Sequence, residues 1–438
     1  MSKQNIEQLI ELIGSLSKAE KRSFKLYAKR NSPQEELKFV QLFDYLEKVG
    51  QFKEKDFLQK NPEIKKEQLS NLKAHLYKQI LASLRVIHTS KFTQLEVREY
   101  IDFALLLLNK GFYNQALKQL EKAGQLAKNG GHNILSLEVV ELEKSIETIF
   151  RTKTLSARAE YLTQQSTLKN EQVSYSVFFS NLSLELYALY LKVGFVRDEK
   201  ENLFIQQFFQ SKMIQFKIQD LGIEGKMYYY NTMVSYNHII QNFVMCYKYA
   251  RQWVNMFYEN PSYIEAKKEL FLRAQHNLLG SLFHLREYNR FKAVLAQYEQ
   301  EHKKMKVSEN IEQVYLHYYH LNRLNQYYFE GNFDKGLRIV PEILDFIKQY
   351  DSKIDEHQIV VFNYKIACLY FGSGDNRTTI KYLNKVIQFK DSSIREDIQC
   401  FARILNLIAH FELGNDELVE YQVKSVYRFL IKIGELHG

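Results

Sequence analysis

The chain has 438 residues, 45% of them hydrophobic, with 60 Lys and Arg against 51 Asp and Glu and a net charge of +9. Three scattered cysteines, Cys246, Cys368 and Cys400, exclude a disulfide framework and a cysteine-based metal centre, and fit a reducing compartment. Four prolines in this length favour long helices over a sheet-rich fold, and no apolar run approaches the roughly 20 residues that cross a bilayer.

The N-terminus, Met1 to Ile13, is amphipathic and carries Lys3, Glu7 and Glu11 instead of an apolar signal core, so a cytoplasmic protein without a membrane anchor is expected. Ser17-Lys18-Ala19-Glu20 has the form of a capping box and predicts a helix from there to about Arg30. Ser32-Pro33-Gln34-Glu35 repeats the device and predicts a second helix ending at Gly50. A short segment, Lys53 to Lys60, comes next. Asn61-Pro62 then predicts the start of a longer helix to about His88, with Leu69, Leu72, Leu76, Ile80, Leu84 and Ile87 on one face. Asn260-Pro261 has the same cap form. Residues 1–100 contain 19 Lys and Arg against 13 Asp and Glu, which is two thirds of the net charge. This marks residues 1–92 as a basic helical module distinct from residues 93–438.

From residue 93 a cadence of helical hairpins takes over. Turns are predicted at Asn242-Phe243, Glu287-Tyr288, Gly331-Asn332-Phe333, Gly374-Asp375-Asn376 and Gly414-Asn415-Asp416, in steps of roughly 40 to 45 residues. Another falls at Gly111, and Gly194-Phe195 fits one more. With a turn near Arg151 to Thr154, the spacing predicts about eight hairpins. The clearest unit runs from Ala104 to Ala127. Its small residues Ala104, Ala116 and Ala123 let two helices approach closely, and Gly111 permits the turn before Tyr113.

At these positions the chain resembles the tetratricopeptide repeat family. Ala367 and Gly374 keep the seven-residue step of Ala104 and Gly111, while Gly336 and Phe291 stand where Ala116 stands. The period is longer than the family's roughly 34 residues, so the helices must be longer too. The resemblance covers roughly residues 95–435. It implies an all-α protein in which the N-terminal helical module is followed by a right-handed α-α superhelix, a solenoid that acts as a protein-binding scaffold.

No nucleophile elbow, P-loop or His-Glu-x-x-His motif occurs, and Gly372-Ser373-Gly374 reads as a hairpin turn, so no enzymatic activity and no cofactor are expected. His317 and His320 share a helix face at a metal-ligand spacing, without a third ligand nearby in sequence; no metal site is assigned. Glu138, Glu141, Glu143 and Glu147 read as a solvated helix face.

Two polar patterns remain. The first helices of the later hairpins each carry an asparagine, Asn231, Asn277, Asn322, Asn363 and Asn406, accompanied by Arg273, Arg323, Lys365 and Arg403. The resemblance places first helices on the concave groove, where amides grip a peptide backbone and cations hold carboxylates. A non-catalytic scaffold binding a protein or peptide is therefore the expected function. The second pattern is Lys18, Lys21, Arg22, Lys25, Lys29 and Arg30 on one predicted helix, interleaved with Phe24 and Tyr27. It gives the alternative: a transcription or RNA regulator whose N-terminal module contacts nucleic acid while the repeats sense a ligand.

Overall fold

A computed structural model describes residues 3–31, 38–150, 155–305, 307–389 and 395–437. These residues are helical with short connections, and no strand occurs among them. Among them, too, no helix is long and apolar enough to cross a membrane. The chain forms two compact units, Met1–Ala159 and Glu160–Gly438. The first thus takes in residues 93–159 as well as the basic stretch 1–92.

Unit 1 begins with α1 (Lys3–Ser15), α2 (Lys18–Asn31) and α3 (Lys38–Val49). Ser17 caps α2 as its sequence predicts. Its main-chain N–H donates to Glu20 Oε2 at 2.8 Å, and the Glu20 N–H donates to Ser17 Oγ at 3.3 Å. Phe24 packs its ring 4.6 Å from that of Phe43, centre to centre, and both are buried. Gly50 has φ +67°, the left-handed stop expected after α3. The Ser32-Pro33 cap lies outside the described residues.

The long helix expected at Asn61-Pro62 starts later. After α4 (Glu54–Lys60) comes a 3-10 turn over Lys66–Gln68 and then α5 (Leu69–His88). Asn61 instead ends α4, its side chain donating back to the Phe57 carbonyl at 2.8 Å. Asn260 does the same to Met256 at 2.9 Å. A short amide can satisfy the last carbonyls of a helix as readily as the first amides of the next, so the cap residue alone does not give the direction.

Then follow α6 (Thr93–Asn109), α7 (Tyr113–Asn129) and α8 (Asn133–Ile149). Ala104, Ala116 and Ala123 are buried where α6 and α7 pack together. The acidic face of α8 is only partly solvated. Glu141 is exposed beside Lys144, but Glu143 and Glu147 are tucked around Arg158, at 3.1 and 3.7 Å. Burial raises the Glu143 pKa against the pull of Arg158.

Between Tyr113 and Phe243 the regular hairpin spacing breaks down. α9 (Leu155–Val193) runs unbroken for 39 residues, about 58 Å. It holds no glycine or proline, so nothing in it forces a turn. The turn expected at 151–154 lies outside the described residues. Gly194, with φ +77°, ends α9 as expected.

Unit 2 continues with α10 (Glu199–Lys212), α11 (Gly222–Ile239), α12 (Phe243–Glu259), α13 (Ser262–Ala266), α14 (Lys268–His284) and α15 (Tyr288–Lys304). Next come α16 (Glu309–Glu330), α17 (Phe333–Leu337), α18 (Val340–Gln349), α19 (Glu356–Gly372), α20 (Asn376–Ile387), α21 (Glu396–Glu412) and α22 (Asp416–His437). New helices begin at Phe243, Tyr288, Phe333, Asn376 and Asp416, which are the five turns of the sequence cadence. Each of α11, α14, α16, α19 and α21 packs on the helix after it, and each of the first four also touches the next of the five. The apolar core follows these contacts, with Trp253, Phe257, Phe271 and Phe291 in one cluster and Leu324, Ile343, Phe362, Ile366 and Leu383 in another.

Candidate functional site

The basic residues expected on α2 form one surface. Burial of Phe24 and Ala28 fixes the rotation of the helix. Lys18, Lys21, Arg22, Lys25 and Lys29, with Leu26 and Glu47, then line a cleft of 540 Å3. The sixth, Arg30, is exposed in the last turn but does not line it. Lys21 and Lys25 are tied to α3: Lys21 lies 3.6 Å from Glu47, and Lys25 lies 2.8 Å from Asp44 and 3.1 Å from Glu47. The hydrogen bond to Asp44 is the main reason the Lys25 pKa is raised. Lys18, Arg22 and Lys29 have no carboxylate partner among the described residues.

The asparagines of unit 2 do not share a face. Asn231 donates to Ser183 Oγ on α9 at 2.5 Å. Asn322 is fully buried, donating to the Tyr318 carbonyl at 2.8 Å with His276 Nδ1 of α14 at 3.1 Å. Asn406 points the other way, to Asn384 of α20 at 3.4 Å. Asn363 bonds the Ile359 carbonyl of its own helix at 3.0 Å. Asn277 is half-buried and makes no side-chain hydrogen bond among the described residues. Offsets that differ by one or two residues turn a helical side chain by about 100° or 200°, which is why similar sequence spacing yields different directions here.

The cations diverge as well. Arg273 pairs with Glu269 of its own helix at 3.0 Å. Arg323 bonds Gln326 and Tyr327 on its own helix at 2.7 and 3.2 Å. Arg403 bonds the Gln399 carbonyl at 2.9 Å and sits 3.7 Å over the Phe429 ring. Lys365 reaches across to α16, where Nζ donates to Asn325 Oδ1 at 2.8 Å and lies over the Tyr328 ring. Burial lowers its pKa to about 8, and no carboxylate pairs with it among the described residues.

The C-terminal end of α9 closes over part of this region. Thr232 of α11 donates to the Phe179 carbonyl at 3.0 Å, and Phe195, just past α9, rests its ring 4.9 Å from His238 and 6.0 Å from His284. Arg395, at the start of α21, donates bidentately to Asp397, both distances 2.7 Å, with its guanidinium 4.8 Å over Tyr190. His238, His276, His284, His317, His320 and His357 gather on these helices. Burial, first of all, lowers every one of their pKa values, to about 3 for His238 and His276 and about 4 for His284, His317 and His320. His317 and His320 are buried, not solvated, and among the described residues no three His, Cys, Asp or Glu side chains come together as metal ligands.

One surface was missed from the sequence. Tyr364, Cys368 and Phe371 of α19 and Phe401, Ile404, Leu405 and Ile408 of α21 line an apolar groove of 240 Å3. α21 carries two apolar stripes. Ile398, Ala402 and Ala409 are buried in the fold, and the neighbouring Gln399 reaches the Val386 carbonyl of α20. Phe401, Ile404, Ile408 and Phe411 recur at steps of three and four on an adjoining face, about 120° round the helix, and Phe401 and Phe411 are 58% and 64% exposed. The signal was present as a helix apolar on two sides. Burial also raises the Cys368 pKa, so its thiol lines the groove as an apolar group. No protein-family model and no curated protein sequence matches this chain.

Proposed function

We propose that unit 2 is a tetratricopeptide-like superhelix that binds a protein segment without catalysing a reaction. The apolar groove between α19 and α21 is the docking site. The observation that carries this reading is the second apolar stripe of α21. A helix that packs on one side needs one stripe, and a further exposed stripe beside a groove marks a place for a partner. The occupant is thus a peptide segment with apolar side chains. Affinity along such a surface comes from modest contacts summed over several helices.

The test compares affinity capture from native lysate by the full chain and by the Phe401→Lys/Ile408→Lys variant, with nuclease-treated samples alongside. The proposal expects a protein retained by the parent chain, insensitive to nuclease and depleted at least tenfold with the variant. Equal retention by both removes the groove as the docking site.

A further inference from the structure

The cations of α2 do more than complement the helix dipole, which favours only those of the last turn, Lys29 and Arg30. Lys18, Arg22, Lys25 and Lys29 follow steps of four, three and four, which places them in one stripe rising about 16 Å along the helix. Lys18 occupies the first turn, where the helix dipole disfavours a positive charge. Lys21 and Lys25 pair with Glu47, and Lys25 also with Asp44, the two acids of α3 among the described residues, and this fixes one side of the 540 Å3 cleft. Lys18 and Arg22 at one end and Lys29 at the other stay exposed and without a carboxylate among the described residues.

We propose that this cleft is a nucleic-acid interface that holds the sugar–phosphate backbone and does not read bases. The chemistry of the lining favours that partner over two others. Charged residues are depleted from the cores of protein–protein interfaces, whereas nucleic-acid interfaces are strongly positive. Helices that lie on membranes insert an apolar face beside their cations. The apolar face of α2, with Phe24 and Ala28, is buried in unit 1, and Leu26 is the one apolar residue lining the cleft. Apart from Glu47, the polar side chains lining the cleft are all cationic donors, which suits phosphate oxygens.

The experiment measures binding of fluorescein-labelled oligothymidylate and of a labelled duplex by anisotropy, with the full chain, between about 50 and 200 mM salt. Lys18→Glu/Arg22→Glu/Lys29→Glu is compared with the parent. Each phosphate contact contributes about 0.9 to the salt slope for duplex and about 0.7 for single strands, so losing three contacts should flatten the slope by roughly 2 to 3. Low-salt affinity should fall at least tenfold, with little dependence on sequence. Lys18→Gln/Arg22→Gln/Lys29→Gln serves if the glutamates reduce helical circular dichroism. No binding at the lowest salt, or binding unchanged by both variants, overturns the proposal. So does binding to anionic phospholipid vesicles through these residues without any to nucleic acid.

Discussion

The main-chain N–H of Arg395 donates to the Leu191 carbonyl at 2.9 Å, tying the residue before α21 to the last turn of α9. Two elements more than 200 residues apart in sequence thus meet within unit 2. The guanidinium of Arg395 and the carboxylate of Asp397 are each only 9% exposed, so this contact encloses an ion pair.

A buried pair is costly to break from one side only. Arg395→Met leaves Asp397 without its partner and should destabilise unit 2 by about 3 to 5 kcal/mol in urea unfolding. Trp253, fully buried in unit 2, reports the transition by fluorescence. Adding Asp397→Leu should recover a large part of that loss, because the stranded charge is then gone. Additive losses in the double variant would show that the two side chains do not act as a pair.

Stability should fall on the acid side in a defined window. The buried histidines have lower pKa values in the folded chain than in the unfolded one. Below about pH 6.5 the unfolded chain binds more protons, so the folded state is fully favoured above that pH and loses stability as pH falls from there toward 4. Denaturation midpoints across that range should show the decline, and His276→Gln should make it shallower. A midpoint flat from pH 7 to 4.5 would contradict the burial of these rings.

The helix pair α6–α7 depends on small residues. Ala116 is fully buried, and Ala116→Leu should overpack the pair and cost about 1 to 3 kcal/mol, measured by thermal unfolding of the full chain. The same volume is tolerated in α15, where fully buried Phe291 occupies the equivalent place. In α17 the place is held by Gly336, whose added Cβ would come within 2.8 Å of Leu369 Cδ2.

Ser17→Ala should remove the cap of α2 and cost about 1 kcal/mol. Glu20 ties this cap to α5 through His88, at 2.7 Å. Hydrogen exchange should therefore quicken in the first turn of α2 and leave α3 unchanged. Uniform quickening throughout unit 1 would mean that the cap is not a local device.

How much of this was legible depends on what each residue had to signal. The turn at Glu287 has no side-chain cap and was readable from the spacing alone. The turns at Asn242, Gly331, Gly374 and Gly414 were readable because left-handed glycines and cap residues punctuate a helical pattern locally: Asn242 accepts from the Met245 N–H, and Gly331, Gly374 and Gly414 have positive φ. The Ser17–Glu20 box was readable for the same reason. The unbroken length of α9 was not, since no residue within it signals that the hairpin spacing lapses there. Nor were the directions of Asn322 and Asn406, which depend on the neighbouring helices they face. The groove at Phe401 and Ile408 lay hidden because a doubly apolar helix looks, in one dimension, like a fully buried one.

The most direct measurement of the docking surface is selection of a displayed random-peptide library on the full chain, followed by affinity measurement on the parent and on Phe401→Lys/Ile408→Lys. Enriched peptides should carry apolar side chains and bind at least tenfold more weakly to the variant. Peptides bound equally well by both proteins would contradict docking in the groove.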